Sequence, residues 1–497
     1  MHTHRPYLLA ASLAVALGGG LSGAARAQEA PMSTAQMQAL IEQQAAQIQA
    51  LERRLSALEQ QDAGTPAAAV ATAPVPTAPV TGDAAIQAQV QAAIADSQSS
   101  DVALLQQQQA QVAAGGGGDR TSWRKGGPEF RSADRRFTFH PRGRVLADSS
   151  STTGSSHDDR NLQGTEMRQV RLGAEGTMGD FRYKIDAELA DNTVSIKDAF
   201  FGYETRVGGH PLELFVGNKL RDRSIEGATT LTRTPFMERN AVASIGSPDT
   251  GYFGLGVQAR LYGNSWHWSA GVTGDDLGNS GDTSDSLVFS TRAHWNPVKR
   301  SRGFVHLGAW YTYEELGDDI DRINKVPRLV QHFNDNIRVS ASAIDGTTRD
   351  DAFGVEVGGV YRSVWGFGEY TRRSIDSSSE PGVEHVGTSL YGGWLLTGEK
   401  PGFSTRSGIW GTTRVLRPVG EGGAGAFELV ARYDDYDFTD AARGGRGKGY
   451  TVGLNWYLNN WSRLMLNLMR WETDNQVGAY KGKDSGNAVG VRAQVVF

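Results

Sequence analysis

The chain predicts an all-β fold: a 16-stranded antiparallel transmembrane β-barrel, with an N-terminal α-helical coiled-coil segment on the periplasmic side. Three observations carry this. From about Phe137 onward, polarity alternates with a period of two, the strand period. The last eleven residues do so strictly: Val489, Val491, Ala493, Val495 and Phe497 share one face, while Ala488, Gly490, Arg492, Gln494 and Val496 share the other. Outside the first 27 residues no stretch reaches about eighteen consecutive apolar residues. Helical membrane spans are therefore excluded. A barrel is not, because its strands are apolar on one face only.

Met1–Ala27 has the form of a secretory signal peptide. It carries a weakly basic start, an apolar core at Leu8–Leu17 and an A-x-A site at Ala25-Arg26-Ala27. In residues 28–62, Met37, Ile41, Gln44, Ile48, Leu51, Leu55 and Leu58 are spaced four and three by turns, a heptad seam with one polar register residue. Residues 63–118 form a linker. It opens as an Ala/Pro/Thr-rich spacer, returns to Gln/Ala-rich helix, and ends in the glycine joint Gly115–Gly118. The barrel domain is expected over 119–497.

Within it, Phe181, Tyr183, Ile185, Ala187 and Leu189 alternate with Arg182, Lys184, Asp186 and Glu188. In a soluble sandwich the charged face would meet bulk water; in a barrel it would line a wet interior. Leu287–Trp295 and Val452–Leu458 repeat the pattern. Strand-end aromatics at Tyr203, Trp266, Trp295, Tyr313, Trp394, Trp461 and Trp471 are expected to form interfacial girdles. A first count of strands gives an odd number. A single-chain barrel with both ends on one side needs an even one, so the weak segment Ile337–Ile344 is assigned to a loop. Sixteen strands remain, near 137–147, 166–176, 180–190, 194–206, 211–218, 251–262, 265–274, 286–296, 303–314, 351–362, 366–375, 383–397, 424–436, 449–459, 461–474 and 487–497. Connections after even strands are mostly short, and those after odd strands mostly longer. Gly398–Gly423 breaks this rule, and no sequence argument accounts for it.

The chain has no cysteine, a formal net charge of −5 and 10 histidines. No basic field suggests nucleic acid. No H-E-x-x-H, metal-spaced Cys/His cluster or G-x-S-x-G elbow is present, so no enzyme, metal or cofactor is expected. Gly444–Gly449 lacks the hydroxyl residue after Lys448 and the helix that a phosphate-cradling loop needs.

Cations collect elsewhere. The long third connection carries Lys219, Arg221, Arg223, Arg233 and Arg239, and the fifth carries Arg322, Lys325, Arg328, Arg338 and Arg349. On faces predicted to point inward lie Arg171, Arg182, Lys184, Arg260, Arg292, Arg432 and Arg492. Outward placement would cost about 2–4 kcal/mol each near the bilayer midplane. Such a ladder would attract anions and replace part of their hydration. Pairing with nearby acids is the competing reading for each residue.

The terminal alternation ending on Phe497 resembles the closing strand of outer-membrane barrels, where the last aromatic is an assembly signal. Phe427–Tyr433, Gly453–Asn459, Trp394–Glu399 and Phe236–Asn240 resemble motifs of the phosphate-selective porin O/P family, and together cover most of residues 130–497. The resemblance implies a trimeric, sixteen-stranded outer-membrane channel. It would pass small anions, phosphate or polyphosphate, by passive diffusion past Arg and Lys at a constriction formed by an infolded third loop. It also implies contact with outer-membrane lipid and with the barrel-assembly machinery through Phe497. One departure is visible. Where anion-selective members place a lysine just before Ala-Thr, this chain has Gly227 with Glu226 beside it. A general, weakly selective porin and a structural envelope tether are the alternatives.

Overall fold

The computed structural model describes residues 120–497, apart from 125, 191, 276, 278–283, 319, 341–342 and 380. The signal peptide, heptads, linker and glycine joint lie outside the described residues.

Sixteen strands form the wall. The first eight are β1 (Phe137–Thr153), β2 (Gln163–Met178), β3 (Phe181–Glu188), β4 (Ser195–Val207), β5 (His210–Leu220), β6 (Phe253–Tyr262), β7 (Trp266–Thr273) and β8 (Leu287–Trp295). The rest are β9 (Gly303–Glu315), β10 (Thr347–Tyr361), β11 (Val364–Ser377), β12 (Val383–Leu395), β13 (Ala426–Asp437), β14 (Arg446–Tyr457), β15 (Ser462–Asn475) and β16 (Gly482–Val496). Each pairs antiparallel with the next. The ring closes where β16 pairs with β1, from Asn487↔Thr153 to Val496↔Arg144. Every strand lies where the sequence places one. No described residue of Ile337–Ile344 joins the wall: Arg338 forms an isolated bridge with Arg328, and Ile344 pairs with Ile323 in a separate two-residue ladder. A hairpin, Arg120–Arg124 with Gly127–Arg131, adds to the start of β1.

The polarity of the wall is inverted relative to a soluble protein. On β16, Val489, Val491 and Val495 are exposed, while Arg492 has no accessible surface and Gln494 only 6%. On β3, Phe181 and Ile185 are exposed and Asp186 is buried; on β8, Leu287, Phe289 and Trp295 are exposed and Arg292 is buried. Apolar side chains thus face outward around the ring, and the charged face of β3 points inward. Of the proposed girdle residues, Tyr203, Trp295, Trp394 and Trp461 are exposed. Trp471 is a correction: it is fully buried and faces inward with Met465, Asn467 and Met469. Its own strand predicts this, because Leu464 and Leu468 hold the outward parity.

Turns after even strands are short, with one exception. The turn from Gly208 to Gly209 has two successive residues at positive φ, 57° and 81°, which favours glycine. The exception is residues 396–425, the same stretch that breaks the length rule in the sequence. It does not project away from the wall. It folds inward from the short-turn end, and the pair Phe403–Ser404 with Ile409–Trp410 braces its tip.

Candidate functional site

The site is built by three connections folded into the barrel. The first is the third long loop, residues 221–252. Asn240 caps a one-turn helix, Ala241–Ile245, its Oδ1 accepting from the Ala243 N–H at 2.8 Å. Ile225, Leu231, Phe236, Met237, Val242 and Ile245 of this loop are buried. Loop backbone groups are met by inward polar side chains of the wall. Asn455 and Arg463 donate to the Pro235 and Thr234 carbonyls, Asn467 accepts from the Met237 N–H at 3.0 Å, and Gln494 donates to the Thr232 carbonyl. Asp434 accepts from the Ala241 N–H. On the far side Glu314 of β9 accepts from the N–H groups of Asp249 and Thr250. Buried polar groups need partners, and here wall and loop satisfy one another.

Wall charges pair with acids. Arg171 meets Glu188 at 2.7 Å; Lys184 meets Asp198, and Asp186 at 3.4 Å; Arg260 meets Asp222 at 3.3 Å. Arg182 meets Glu204, with Glu213 at 3.8 Å. Arg292 grips Glu356 at 2.8 Å and reaches Asp222 at 3.2 Å. Arg432 meets Asp434 at 2.6 Å and Glu226 at 3.5 Å. Asp222 is buried, which opposes its ionisation, yet Arg260, His267 and Arg292 hold its carboxyl well below the usual range.

The cations of the third loop are held differently. Arg221 donates to Thr273 Oγ1 and to the carbonyls of Gly251 and Gly274, at 2.8–2.9 Å. Arg223 donates to the Ala243 carbonyl, and Arg239 to those of Glu226 and Thr229. Both guanidiniums lie 4.6 Å from the Tyr252 ring centroid. Lys219, the last but one residue of β5, is buried 4.8 Å from the Phe215 ring centroid. Carbonyls and rings orient these groups without cancelling their charge. Arg221 and Arg223 have no accessible surface, whereas Arg239 is half-buried and Arg233 is exposed.

Several inward bases escape the sequence reading. Arg142 and Arg144 of β1 reach Asp186 at 3.1 and 3.3 Å, and Arg144 donates to Thr230 of the loop. Parity within β1 places both of them inward. Arg168 of β2 grips Glu238 of the loop at 2.8 and 2.9 Å. Strict alternation from Arg171 would put it outside, but a register shift at Leu146/Ala147 opposite re-aims it.

The second inward segment is the turn 396–425. Arg292 donates to the carbonyls of Ser407 and Gly408, and Asn296 donates to that of Thr405. Arg406 reaches Glu213 at 3.1 Å and lies 4.1 Å from the Tyr262 ring centroid. The Trp410 N–H donates to Thr229 Oγ1 of the third loop at 3.1 Å, so segments from opposite ends of the barrel meet inside it. The third segment is the fifth long loop. Phe333 packs against Gly164 of β2, where an added Cβ would lie 2.2 Å from the ring, and Asn334 donates to Thr152 of β1.

A closed antiparallel ring with an apolar exterior, a charged interior and an infolded long loop defines an outer-membrane porin, a β-barrel channel. Residues 139–497 match the model of the phosphate-selective porin O and P family, and the chain belongs to that family. It is 31% identical over 359 residues to an uncharacterized protein of Caulobacter vibrioides, covering 69% of this chain and 70% of that protein. It is 26% identical over 412 residues to Porin O of Pseudomonas aeruginosa, covering 75% and 91%. Among solved structures, OmpT of Vibrio cholerae matches with a TM-score of 0.46 and 11% identity, over 73% of this chain and 98% of that one.

Proposed function

We propose that the channel conducts small anions by passive diffusion, phosphate and polyphosphate among them, along a path lined by Arg142, Arg233, Arg239, Lys184 and Arg182. The observation that carries this is the state of the third-loop arginines. Arg233 and Arg239 keep accessible surface, and the contacts that hold Arg239 are carbonyls and a ring, not carboxylates. An arginine so held keeps its full charge for a passing anion. Lys219, Arg221, Arg223, Arg171, Arg260, Arg292 and Arg432 contribute field from behind this surface. The wider reading includes a homotrimer, lipid against the outward apolar face, the N-terminal helical segment in the periplasm, and barrel assembly read from Phe497.

One observation favours weaker selectivity. Glu226 stands beside Gly227 on the loop itself, and Asp186, Asp198 and Glu204 neutralise part of the β3–β4 wall. The reversal potential of the purified protein in a planar bilayer, across a potassium chloride gradient, separates the readings. An anion-side potential with chloride current blocked by added phosphate supports the phosphate path. A potential near zero supports a general porin. A cation-side potential overturns the proposal. Absence of channel steps would favour the tether.

A further inference from the structure

Three histidines on adjacent strands stack inside the barrel beside the infolded turn. His267 of β7 and His294 of β8 are direct cross-strand partners, with ring centroids 5.2 Å apart. His294 and His306 of β9 stack at 5.0 Å. Tyr262 of β6 continues the row at 5.1 Å from His267, and Phe403 of the turn caps it at 5.5 Å from His306. Each imidazole is at most 3% exposed.

The hydrogen bonds assign the tautomers. His294 Nε2 lies 3.0 Å from the Thr405 carbonyl of the turn, which can only accept, so Nε2 carries the hydrogen. His306 Nε2 lies 2.8 Å from Glu356 and donates likewise. The Nδ1 atoms of all three rings are buried with no hydrogen-bond partner among the described residues. That of His294 faces Gly408, where an added Cβ would lie 2.6 Å away. The infolded turn therefore rests on a neutral ring.

We propose that this histidine row is an acid-responsive latch, and that protonation of His294 releases the turn 396–425 from the barrel interior. A proton on Nδ1 would create a buried donor aimed at Gly408 with nothing to accept it. It would also place a cation between two further imidazoles and beside Arg292. The surrounding charges offer no free carboxylate. Asp222 is shared by Arg260, Arg292 and His267. Glu356 of β10 is held by Arg292 and His306. Glu213 of β5 is held by Arg406 and by the Tyr262 hydroxyl. Glu369 of β11 accepts from Tyr391, Asn240 and the Ile225 N–H. Lys219 adds a further buried cation on the β5 side. The protonated ring gains water only if the turn moves away, so acid favours the displaced turn.

The latch rests on the channel reading but not on which ion passes. Single-channel conductance in planar bilayers at pH 7.5 and pH 4.5 tests it. The wild-type channel should conduct roughly twofold more at pH 4.5. His294→Gln keeps a donor for the Thr405 carbonyl but cannot titrate, and should lose most of the acid step. His385→Gln, a buried histidine of β12 outside the row, should keep the acid step. A wild-type channel flat across this range, or His294→Gln stepping as the wild type does, would overturn the proposal.

A second measurement needs no conductance. The chain has no cysteine, so Ser407→Cys on the turn and Thr439→Cys on an exposed loop each report alone. The ratio of their reactivities toward a charged thiol reagent should rise about tenfold in favour of position 407 at pH 4.5. An unchanged ratio overturns the latch. A risen ratio in a protein without channel steps would support the latch and sink the channel reading instead.

Discussion

Arg492 forks onto Asp148 across the seam that closes the barrel. Its Nε and Nη2 lie 2.7 Å from the two carboxylate oxygens, and the residues are direct partners in the β16–β1 ladder. The same guanidinium donates to the Met237 carbonyl and to Glu238 at 2.9 Å. One buried side chain thus ties ring closure to the position of the third loop. Removing Arg492 leaves Asp148 as an uncompensated buried charge, at a cost of about 3–5 kcal/mol, whereas removing Asp148 leaves Arg492 still paired with Glu238 and should cost less. Asp148→Ala and Arg492→Ala should each lower the denaturant midpoint of the folded barrel and make single-channel steps noisier. A variant with wild-type stability and quiet steps would contradict this.

Loop arginines should divide by exposure. Arg221 and Arg223 have no accessible surface. Replacing Arg221 with Ala leaves Thr273 and two carbonyls short of a donor, at about 1–3 kcal/mol each where no water enters. The expected result is lost stability ahead of lost selectivity. Arg233→Ala and Arg239→Ala remove charge at positions that keep accessible surface. Each should reduce the anion-to-cation permeability ratio roughly twofold with little change in stability. Reversal potentials read beside thermal melts would separate the two classes.

Glu226 gives the third loop a pH dependence. Burial pushes its carboxyl up to about 7, against the pull of Arg432 and the Asn240 N–H. A raised carboxylic pKa means the folded state binds more protons than the unfolded one between about 4.5 and 7. Its contribution to stability is therefore present at low pH and is lost as pH rises through that window, by roughly 3 kcal/mol in all. The melting temperature should fall from pH 5 to pH 8, and Glu226→Gln should flatten the fall. Equal slopes in both proteins would count against it.

Phe497 packs where only a glycine fits. The Gly143 N–H donates to the Phe497 carbonyl at 2.7 Å, and the Phe497 N–H donates back at 2.9 Å. A Cβ on Gly143 would lie 2.5 Å from the Phe497 ring. Gly143→Val should slow barrel formation in detergent several-fold, and deletion of Phe497 should do the same. Unchanged refolding rates in both would show that the terminal ring is not needed for closure.

Much of this was legible in the sequence because a membrane barrel obeys a local rule. Alternate residues must meet lipid and interior, so parity places a side chain without knowledge of its neighbours. The rule located all sixteen strands. It set Arg492 inward, and evenness alone moved Ile337–Ile344 into a loop. At Trp471 aromatic character and parity disagree: a strand-end aromatic suits the outer girdle, but Leu464 and Leu468 hold the outward parity and put Trp471 inside. Where the register shifts the rule fails, as at Arg168.

Strand number, strand position and wall polarity follow from the sequence by itself, since each depends on a period of two and on solvent that differs across the wall. What the interior holds was decided only by the tertiary structure. The grip of Arg292 on the turn 396–425 and those of Arg168 and Arg492 on Glu238 join residues far apart in the chain. Their contacts depend on loop paths that carry no periodicity, and on partners that closure of the ring brings together.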